Sequence, residues 1–389
     1  AVQYAESSFD RILQILFKID SNDTNIEVIN ENEYLPHMYA FSFIKKVYPL
    51  AQEPIFMKIQ SIAEQSITST DWTRHHGFLL ALNAITEPKT PFAEQLFIQC
   101  SQFMCACVAS SNDRLSETAL STFEAIAKIY PMIYSSPENF QTILQLIVSC
   151  INRHILIVKR CLNVLRNLMI YPVPNSFFGI ILSIILEIIK RPDIYEDDLI
   201  YFAYESINDL INKSHDESFD QVMQYLQGHL MVFLELTKSS PMNQQLYSHQ
   251  KCIFDSMMCI FHKYTRRPQK AQLRDVASQI LKTILVYSEH RSGDILEDIM
   301  MTITRIIPFL GDYLSEFEPI LIQYIDAALS SQSPSIINSA ICVVTNIFEV
   351  DPRYGLVRLP NIIDLVLHCL RNRMFTPDFY PLVAKHLSF

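Results

Sequence analysis

Glycine is scarce in this sequence, which holds only 6 glycines among 389 residues. Sheets and barrels built from tight hairpins need glycine at many turns, so a mainly β fold is disfavoured. Hydrophobic residues make up 49% of the chain, and no run of Gly, Ser or Pro is long enough to act as a linker. We therefore expect an all-α fold and a single continuous domain over residues 1–389.

Positive charge is also in short supply, with 31 Lys and Arg against 41 Asp and Glu and a net charge of −10. Proteins that bind nucleic acid directly concentrate basic residues to neutralise phosphates. The balance here disfavours a direct nucleic-acid partner. A basic protein or peptide is the better electrostatic complement.

Long apolar runs and cofactor motifs are missing too. The most apolar segment, Phe177 to Ile189, is broken by Ser183 and Glu187 and is shorter than the roughly 20 residues of a membrane span. It predicts a buried helix and no membrane insertion. The sequence has no glycine-rich phosphate loop and no dinucleotide fingerprint. We predict no catalytic residues, no cofactor and no enzyme activity.

Nine cysteines are present, mostly inside apolar helical runs, which indicates a reducing compartment and core thiols. Cys100, Cys105 and Cys107 lack the paired spacing of metal ligands. We therefore predict no metal site.

One pattern recurs along the chain: a small residue, an apolar run, and a proline eleven or twelve positions later. Its best copies are Gly77 to Pro88, Ala119 to Pro131, Cys161 to Pro172 and Ala340 to Pro352. This pattern is typical of the second helix in a HEAT repeat, a hairpin of about forty residues. The sequence thus predicts an α-α superhelix, a HEAT-repeat solenoid of about nine hairpins with second helices on the concave face.

Helical periodicity and turn residues place the helix starts of each hairpin. First helices are expected near Ala5, Gln52, Pro91, Pro137, Asn175, Glu217, Ala271, Asp312 and Leu359. Second helices are expected near Tyr34, Thr70, Asn112, Arg153, Glu196, Met242, Ser292, Ser333 and Thr376.

Two second helices carry polar stripes opposite their predicted core faces. The helix from Asn112 presents Asp113, Glu117, Ser121 and Glu124, and the helix from Glu196 presents Asp197, Tyr201, Glu205, Asn208 and Asn212. Such stripes suit a basic ligand, whose cations pair with carboxylates. They also suit a merely solvated face.

The second helix between these two is basic, with Lys159, Arg160 and Arg166 beside Asn163 and Asn167. Its cations could pair with acids of neighbouring helices, or the ligand could carry mixed charge. The sequence leaves both open.

The first hairpin has an unusually long, acidic connection. It runs from Asp20 to Glu33, contains the acids Asp20, Asp23, Glu27, Glu31 and Glu33, and leads into Tyr34. A solvated loop and an acidic flap that faces a basic ligand are both compatible with this composition.

The stretch RPDIYEDDLIYFAYESINDLINKS, from Arg191 to Ser214, resembles a hairpin of importin-β, the karyopherin family of nuclear import receptors. Similar stretches run through the chain in the family's order: Asp71 to Ile85, Leu115 to Pro131 and Asp294 to Leu321. The chain resembles the middle to C-terminal HEAT repeats and is expected to be a fragment of a longer receptor.

The resemblance implies a monomeric receptor that shuttles between cytoplasm and nucleus through the nuclear pore. It implies binding of an importin-α-type adaptor or basic cargo, binding of phenylalanine-glycine (FG) nucleoporins between first helices, and release by Ran-GTP. Cargo contacts are then expected from the acidic connection with Tyr34 and from the stripe residues Asp113, Glu117, Glu124, Asp197, Tyr201, Glu205 and Asn208. Nucleoporin contacts are expected near Phe317, Leu321, Ile363 and Leu367, unless these only join one repeat to the next.

The family presents tryptophans from second helices, whereas Tyr34, Ser121 and Leu162 stand at the matching positions here. Because cation–π interactions are weaker with tyrosine than with tryptophan and absent with serine or leucine, we expect a lower affinity for the usual adaptor helix. The rival hypothesis is a HEAT scaffold of a phosphatase or vesicle-coat complex, which would not release its partner to Ran-GTP.

Overall fold

The computed structural model describes most of the chain as helices joined by short turns. The described residues are 2–19, 35–170, 174–238, 244–288, 296–330, 333–353, 360, 363–364, 367 and 371. They contain no β-strand, so the all-α prediction is confirmed. Among them, no helix is both long and apolar enough to cross a membrane.

The chain divides into two compact units, residues 1–216 and 217–389. Unit 1 contains five hairpins, and within each the first and second helices pack together. Its helices are α1 (Val2–Leu16), α2 (Pro36–Val47), α3 (Gln52–Ile67), α4 (Trp72–Ala84), α5 (Pro91–Gln99), α6 (Ser101–Val108), α7 (Asp113–Ile129), α8 (Pro137–Cys150), α9 (Ile155–Leu168), α10 (Asn175–Ile189) and α11 (Leu199–Lys213).

The second helices of unit 1 form a row in which α2, α4, α7, α9 and α11 each contact the next. We call this the second-helix row. Unit 2 repeats the hairpin arrangement with α12 (Phe219–Lys238), α13 (Gln244–Tyr264), α14 (Arg274–Ser288), α15 (Leu296–Leu310), α16 (Leu314–Leu329) and α17 (Pro334–Val350). The hairpin expected from Leu359 onward lies almost wholly outside the described residues. A continuous solenoid through both units stays a prediction.

Caps and burial follow the sequence pattern closely. Asp71 accepts the backbone N–H of Thr73 at 2.9 Å, and Asn112 accepts that of Leu115 at 3.1 Å, so both helix starts satisfy an otherwise free donor. In α11, Leu199, Ala203, Ile207 and Leu210 recur with helical spacing and are all fully buried.

Gly77 marks a close approach between α4 and the end of α1. A Cβ atom at this position would lie 2.5 Å from Cδ1 of Phe17 and 3.0 Å from the carbonyl oxygen of Leu16. A larger residue would therefore separate the first two hairpins.

Two local features depart from a simple pair of helices in each hairpin. The first helix of the third hairpin is interrupted at Cys100, which separates α5 from α6. The helix expected from Glu196 begins at Leu199, because Asp197 and Asp198 adopt left-handed backbone angles with φ of 46° and 59°. Aspartate tolerates this region better than most residues, and the turn removes Asp197 from the α11 stripe.

Arginines in two successive hairpin turns tie each hairpin to the one before it. Arg153 donates to the carbonyl oxygen of Val108 at 2.9 Å, and Arg191 donates to that of Ile151 at 2.5 Å. Each also pairs with a carboxylate, Asp113 and Asp193 respectively. These bonds satisfy carbonyl groups that helix ends leave free.

Candidate functional site

The acidic stripe of α7 is paired with the basic helix α9. Arg160 reaches two carboxylates at once: its Nε donates to Glu117 at 2.8 Å and its Nη1 donates to Glu124 at 2.9 Å. Arg153, in the turn before α9, pairs with Asp113. Three predicted cargo residues thus already have intramolecular cations.

The acids of α11 meet α9 from its other side. Arg166 donates from Nη1 to Glu205 at 2.7 Å and from Nε to Asp209 at 2.8 Å. Asp209 was missed by the sequence analysis, although its i+4 spacing from Glu205 places both on one helix face. We call the three arginines and their acids, Asp113, Glu117, Glu124, Glu205 and Asp209, the charge ladder.

The third cation of α9 uses a different partner. Lys159 donates its Nζ to the backbone oxygen of Asp197 at 2.8 Å and lies 4.8 Å from the ring centroid of Phe202. The left-handed turn therefore contributes a main-chain acceptor, whereas the sequence predicts that the carboxylate of Asp197 binds a ligand. The cations of the basic helix α9 thus pair with acceptors on the neighbouring helices, which is one of the two possibilities that the sequence leaves open.

Carboxylates of the charge ladder raise the pKa of the two arginines of α9. Burial alone would lower the pKa of Arg160, but the carboxylates of Glu117 and Glu124 outweigh it and raise that pKa. Arg166 behaves likewise, since Asp209 and Glu205 raise its pKa against the effect of burial. Both guanidinium groups stay charged at any physiological pH.

A surface cavity of about 350 Å³ opens beside the charge ladder. Its lining includes Glu124 of α7, Asn163 and Arg166 of α9, and Asp209 and Lys213 of α11. A ligand side chain that entered it would meet both signs of charge and amide groups able to bind a peptide main chain.

Two further stripe residues, Tyr201 and Asn208, lie outside the charge ladder. Tyr201 is exposed by 37%, and Asn208 is half-buried. Leu162, one of the positions matched to a family tryptophan, is fully buried and faces the core instead. Asp23, Glu27, Glu31, Glu33 and Tyr34 lie outside the described residues.

The four residues assigned to nucleoporin binding differ in exposure. Phe317 and Leu321 on α16 are buried, with exposures of 5% and 1%, so they pack within unit 2. Ile363 and Leu367 are exposed. An open groove therefore cannot use the first two as its contact surface.

Exposed apolar residues do occur on the first helices. In unit 1 every hairpin presents one: Ile15, Met57, Ile98, Val148 and Ile180. This regularity cannot be recognised in the sequence, because only packing fixes which side of each first helix faces the solvent.

In the described part of the chain, most cysteines are buried as free thiols. No group of three or more His, Cys, Asp or Glu residues there could hold a metal ion. Burial raises the pKa of Cys100 and of Cys107 to about 12, so these thiols stay protonated at neutral pH.

Comparison with known proteins agrees with the arrangement of hairpins. No family model matches the chain. Importin subunit beta-1 of Arabidopsis thaliana is 21% identical over 299 residues, which cover 72% of this chain and 34% of that protein.

Two solved structures of Kap95p, the yeast importin-β, cover the whole chain. In one of them, Kap95p binding induces the switch loops of RanGDP to adopt the GTP-bound conformation. This chain matches it with a TM-score of 0.80 and 12% identity, over 49% of that Kap95p chain. The other is the Kap95:Nup1 complex, with a TM-score of 0.76, 15% identity and 48% of that chain covered.

The chain has the HEAT-repeat fold of the importin-β type. The resemblance seen in the sequence is thereby confirmed. The chain spans about a third of the length of the curated relative and about half of the two Kap95p chains. The matched proteins are named as importins.

Proposed function

We propose that this chain is part of a nuclear transport receptor of the importin-β type. The observation that carries the proposal is the fit of the whole chain to Kap95p at a TM-score of 0.80. The Kap95p structures concern RanGDP and Nup1, which supports Ran and an FG nucleoporin as partners here. The receptor would work as a monomer, in the cytoplasm, in the nucleus and at the nuclear pore.

The second-helix row is the proposed surface for a basic import signal, either in an importin-α-type adaptor or in cargo. Its support is the carboxylates of α7 and α11, which remain partly exposed despite their internal partners: Glu117 by 23%, Glu124 by 25% and Glu205 by 56% of the side chain. Several weak charge contacts on one ligand can add to a useful affinity and a fast encounter.

The first helices are the proposed surface for FG nucleoporins. Each hairpin of unit 1 offers an exposed aliphatic or thioether side chain, and an apolar side chain open to solvent gains free energy when it covers a phenylalanine ring. Ile363 and Leu367 would add to this surface in unit 2.

One experiment tests the transport function. The chain is titrated with a fluorescent basic import segment, and Ran-GTP is then added. A transport receptor binds the segment in a salt-dependent way and releases it to Ran-GTP. Binding that Ran-GTP leaves unchanged would favour the rival hypothesis of a phosphatase or vesicle-coat scaffold. Absence of binding to the segment, to Ran-GTP and to FG peptides would contradict the proposal for this chain.

A further inference from the structure

The two arginines of α9 bind their carboxylates in the same geometry. Arg160 and Arg166 each place Nε against one carboxylate and Nη1 against another, with all four N–O distances between 2.7 and 2.9 Å. The acceptors of each arginine come from a single helix: Glu117 and Glu124 from α7, Glu205 and Asp209 from α11. Helix α9 therefore lies between two carboxylate pairs and fills both.

This geometry selects for arginine. A guanidinium group is planar and carries its N–H donors in a fixed fork, so one group can bridge two carboxylates, whereas a lysine ammonium is a point charge with no such fork. A carboxylate pair that accepts Arg160 would accept an arginine of a ligand in the same way.

We propose that Arg160 and Arg166 are intramolecular occupants of the two carboxylate pairs, and that an arginine-rich ligand segment binds the second-helix row by displacing them. The inference rests on the proposed function, because it concerns how a basic segment gains access to that surface. Helix α9 then sets the minimum number of arginines that a ligand needs for binding. Ligands with few arginines, or with lysines alone, do not displace the internal ion pairs.

Exchange is feasible because the internal pairs are weak and reachable. The side chains of Arg160 and Arg166 are exposed by 37% and 32%, and their acids by 23% to 56%. Partly exposed ion pairs each change an equilibrium by about fivefold at most. A ligand that offers several arginines can therefore outcompete them.

Space for the exchange lies beside Arg166. The cavity of about 350 Å³ includes Arg166 itself together with Glu124 and Asp209, one acceptor from each carboxylate pair. A ligand guanidinium can reach either pair through this opening, and a displaced Arg166 side chain has room to turn into it.

The test compares Arg166→Gln and Arg160→Gln with the parent chain. The probes are two alanine-based helical peptides, one with arginine and one with lysine at every fourth position, and fluorescence anisotropy gives the affinity. Each variant should bind the arginine peptide about fivefold more tightly, because a competitor is gone. The gain should be smaller for the lysine peptide.

The matched control is Lys190→Gln, which removes the same charge from the protein. Lys190 pairs with Glu187 on the first helix α10, away from the second-helix row. Lys190→Gln therefore measures how the change in net charge alone affects the affinity for the arginine peptide, and this effect should stay below about twofold. Glu117→Gln with Glu124→Gln should weaken binding of the arginine peptide in every background.

The outcomes separate this inference from the proposed function. If the parent chain binds a basic import segment and releases it to Ran-GTP, but Arg160→Gln and Arg166→Gln behave as Lys190→Gln does, the inference is wrong and the function stands. Equal gains for the arginine and lysine peptides would also overturn it. If neither the parent nor any variant binds a basic peptide, the inference fails, and binding of Ran-GTP and FG peptides decides whether the proposed function stands.

Discussion

The hydroxyl group of Tyr130, at the end of α7, accepts the backbone N–H of Thr90 at 2.9 Å. Thr90 caps the start of α5 and is itself 3.2 Å from the hydroxyl oxygen of Tyr48. All three residues are buried, and they succeed one another at intervals of about forty residues, one repeat apart. The chain of hydroxyl groups therefore links the ends of three successive hairpins.

Tyr130→Phe should destabilise unit 1 by about 1–3 kcal/mol, because it leaves the buried N–H of Thr90 without its acceptor. The same substitution at Tyr134 should change the free energy of unfolding in the opposite direction. The Tyr134 hydroxyl is buried and has no hydrogen-bond partner among the described residues, so Tyr134→Phe should stabilise by up to about 1 kcal/mol. Urea unfolding followed by the fluorescence of Trp72 measures both. Two changes of the same sign and size would contradict this account of the hydroxyl chain.

A second prediction concerns Arg191, whose side chain is only 11% exposed. Arg191→Gln removes the donor to the Ile151 carbonyl and the partner of Asp193, which should cost about 1–3 kcal/mol. Hydrogen exchange in α9 and α11 should speed up, since repeats are stabilised mainly by their neighbours. The adjacent Lys190→Gln, at a side chain exposed by 68%, should stay within about 0.5 kcal/mol. Equal exchange rates in the two variants would show that Arg191 does not join the hairpins.

Burial makes His76 a source of acid sensitivity. Burial lowers the pKa of His76 to about 3, and the nearby Arg114 and His37 act in the same direction. Above the unfolded pKa of about 6.5 the residue is neutral in both states, and stability is complete. Between pH 6.5 and 3 the unfolded chain binds a proton that the folded chain refuses, so the free energy of unfolding falls by about 1.4 kcal/mol per pH unit.

The measurement is urea unfolding at pH 7 and pH 5, again followed through Trp72, whose ring stacks on His76 at 6.2 Å. The parent should lose about 2 kcal/mol more over this range than His76→Phe, which cannot titrate. His76→Leu, which likewise has no titrating side chain, is the control and should lose no more than His76→Phe does. An identical loss in the parent and in His76→Phe would exclude His76 as the cause.

The fold could be predicted from sequence because each helix carries its own signal. The core positions of α11 repeat with helical spacing, and Asp71 and Asn112 precede apolar runs as caps do. These patterns are local, so they need no knowledge of neighbouring helices. The break at Cys100 and the left-handed Asp197 have no comparable local signal.

The candidate site was harder to predict for a related reason. The stripe acids were found, but whether Glu117 faces solvent or Arg160 depends on two helices whose contacting residues lie 43 positions apart. Periodicity gives the face of a helix and not the rotation of the next helix against it. The buried Phe317 and the exposed Ile180 show the same limit, since each lies on a helix rich in apolar residues.

The last prediction separates packing from nucleoporin binding on α16. Phe317 is buried and lies under Lys282, whose Nζ is 5.6 Å from the ring centroid, whereas Ile320 is exposed by 36%. Phe317→Ala should destabilise unit 2 by about 3–5 kcal/mol, because it opens a cavity in the core. Ile320→Ser should change stability by less than about 0.5 kcal/mol and should instead weaken an FG peptide, as should Ile363→Ser. Thermal unfolding and NMR titration at millimolar peptide check the two effects. If the peptide shifts no resonance of unit 2 in the parent chain, or shifts them as strongly in Ile320→Ser and Ile363→Ser as in the parent, the exposed apolar residues of this unit do not bind nucleoporins.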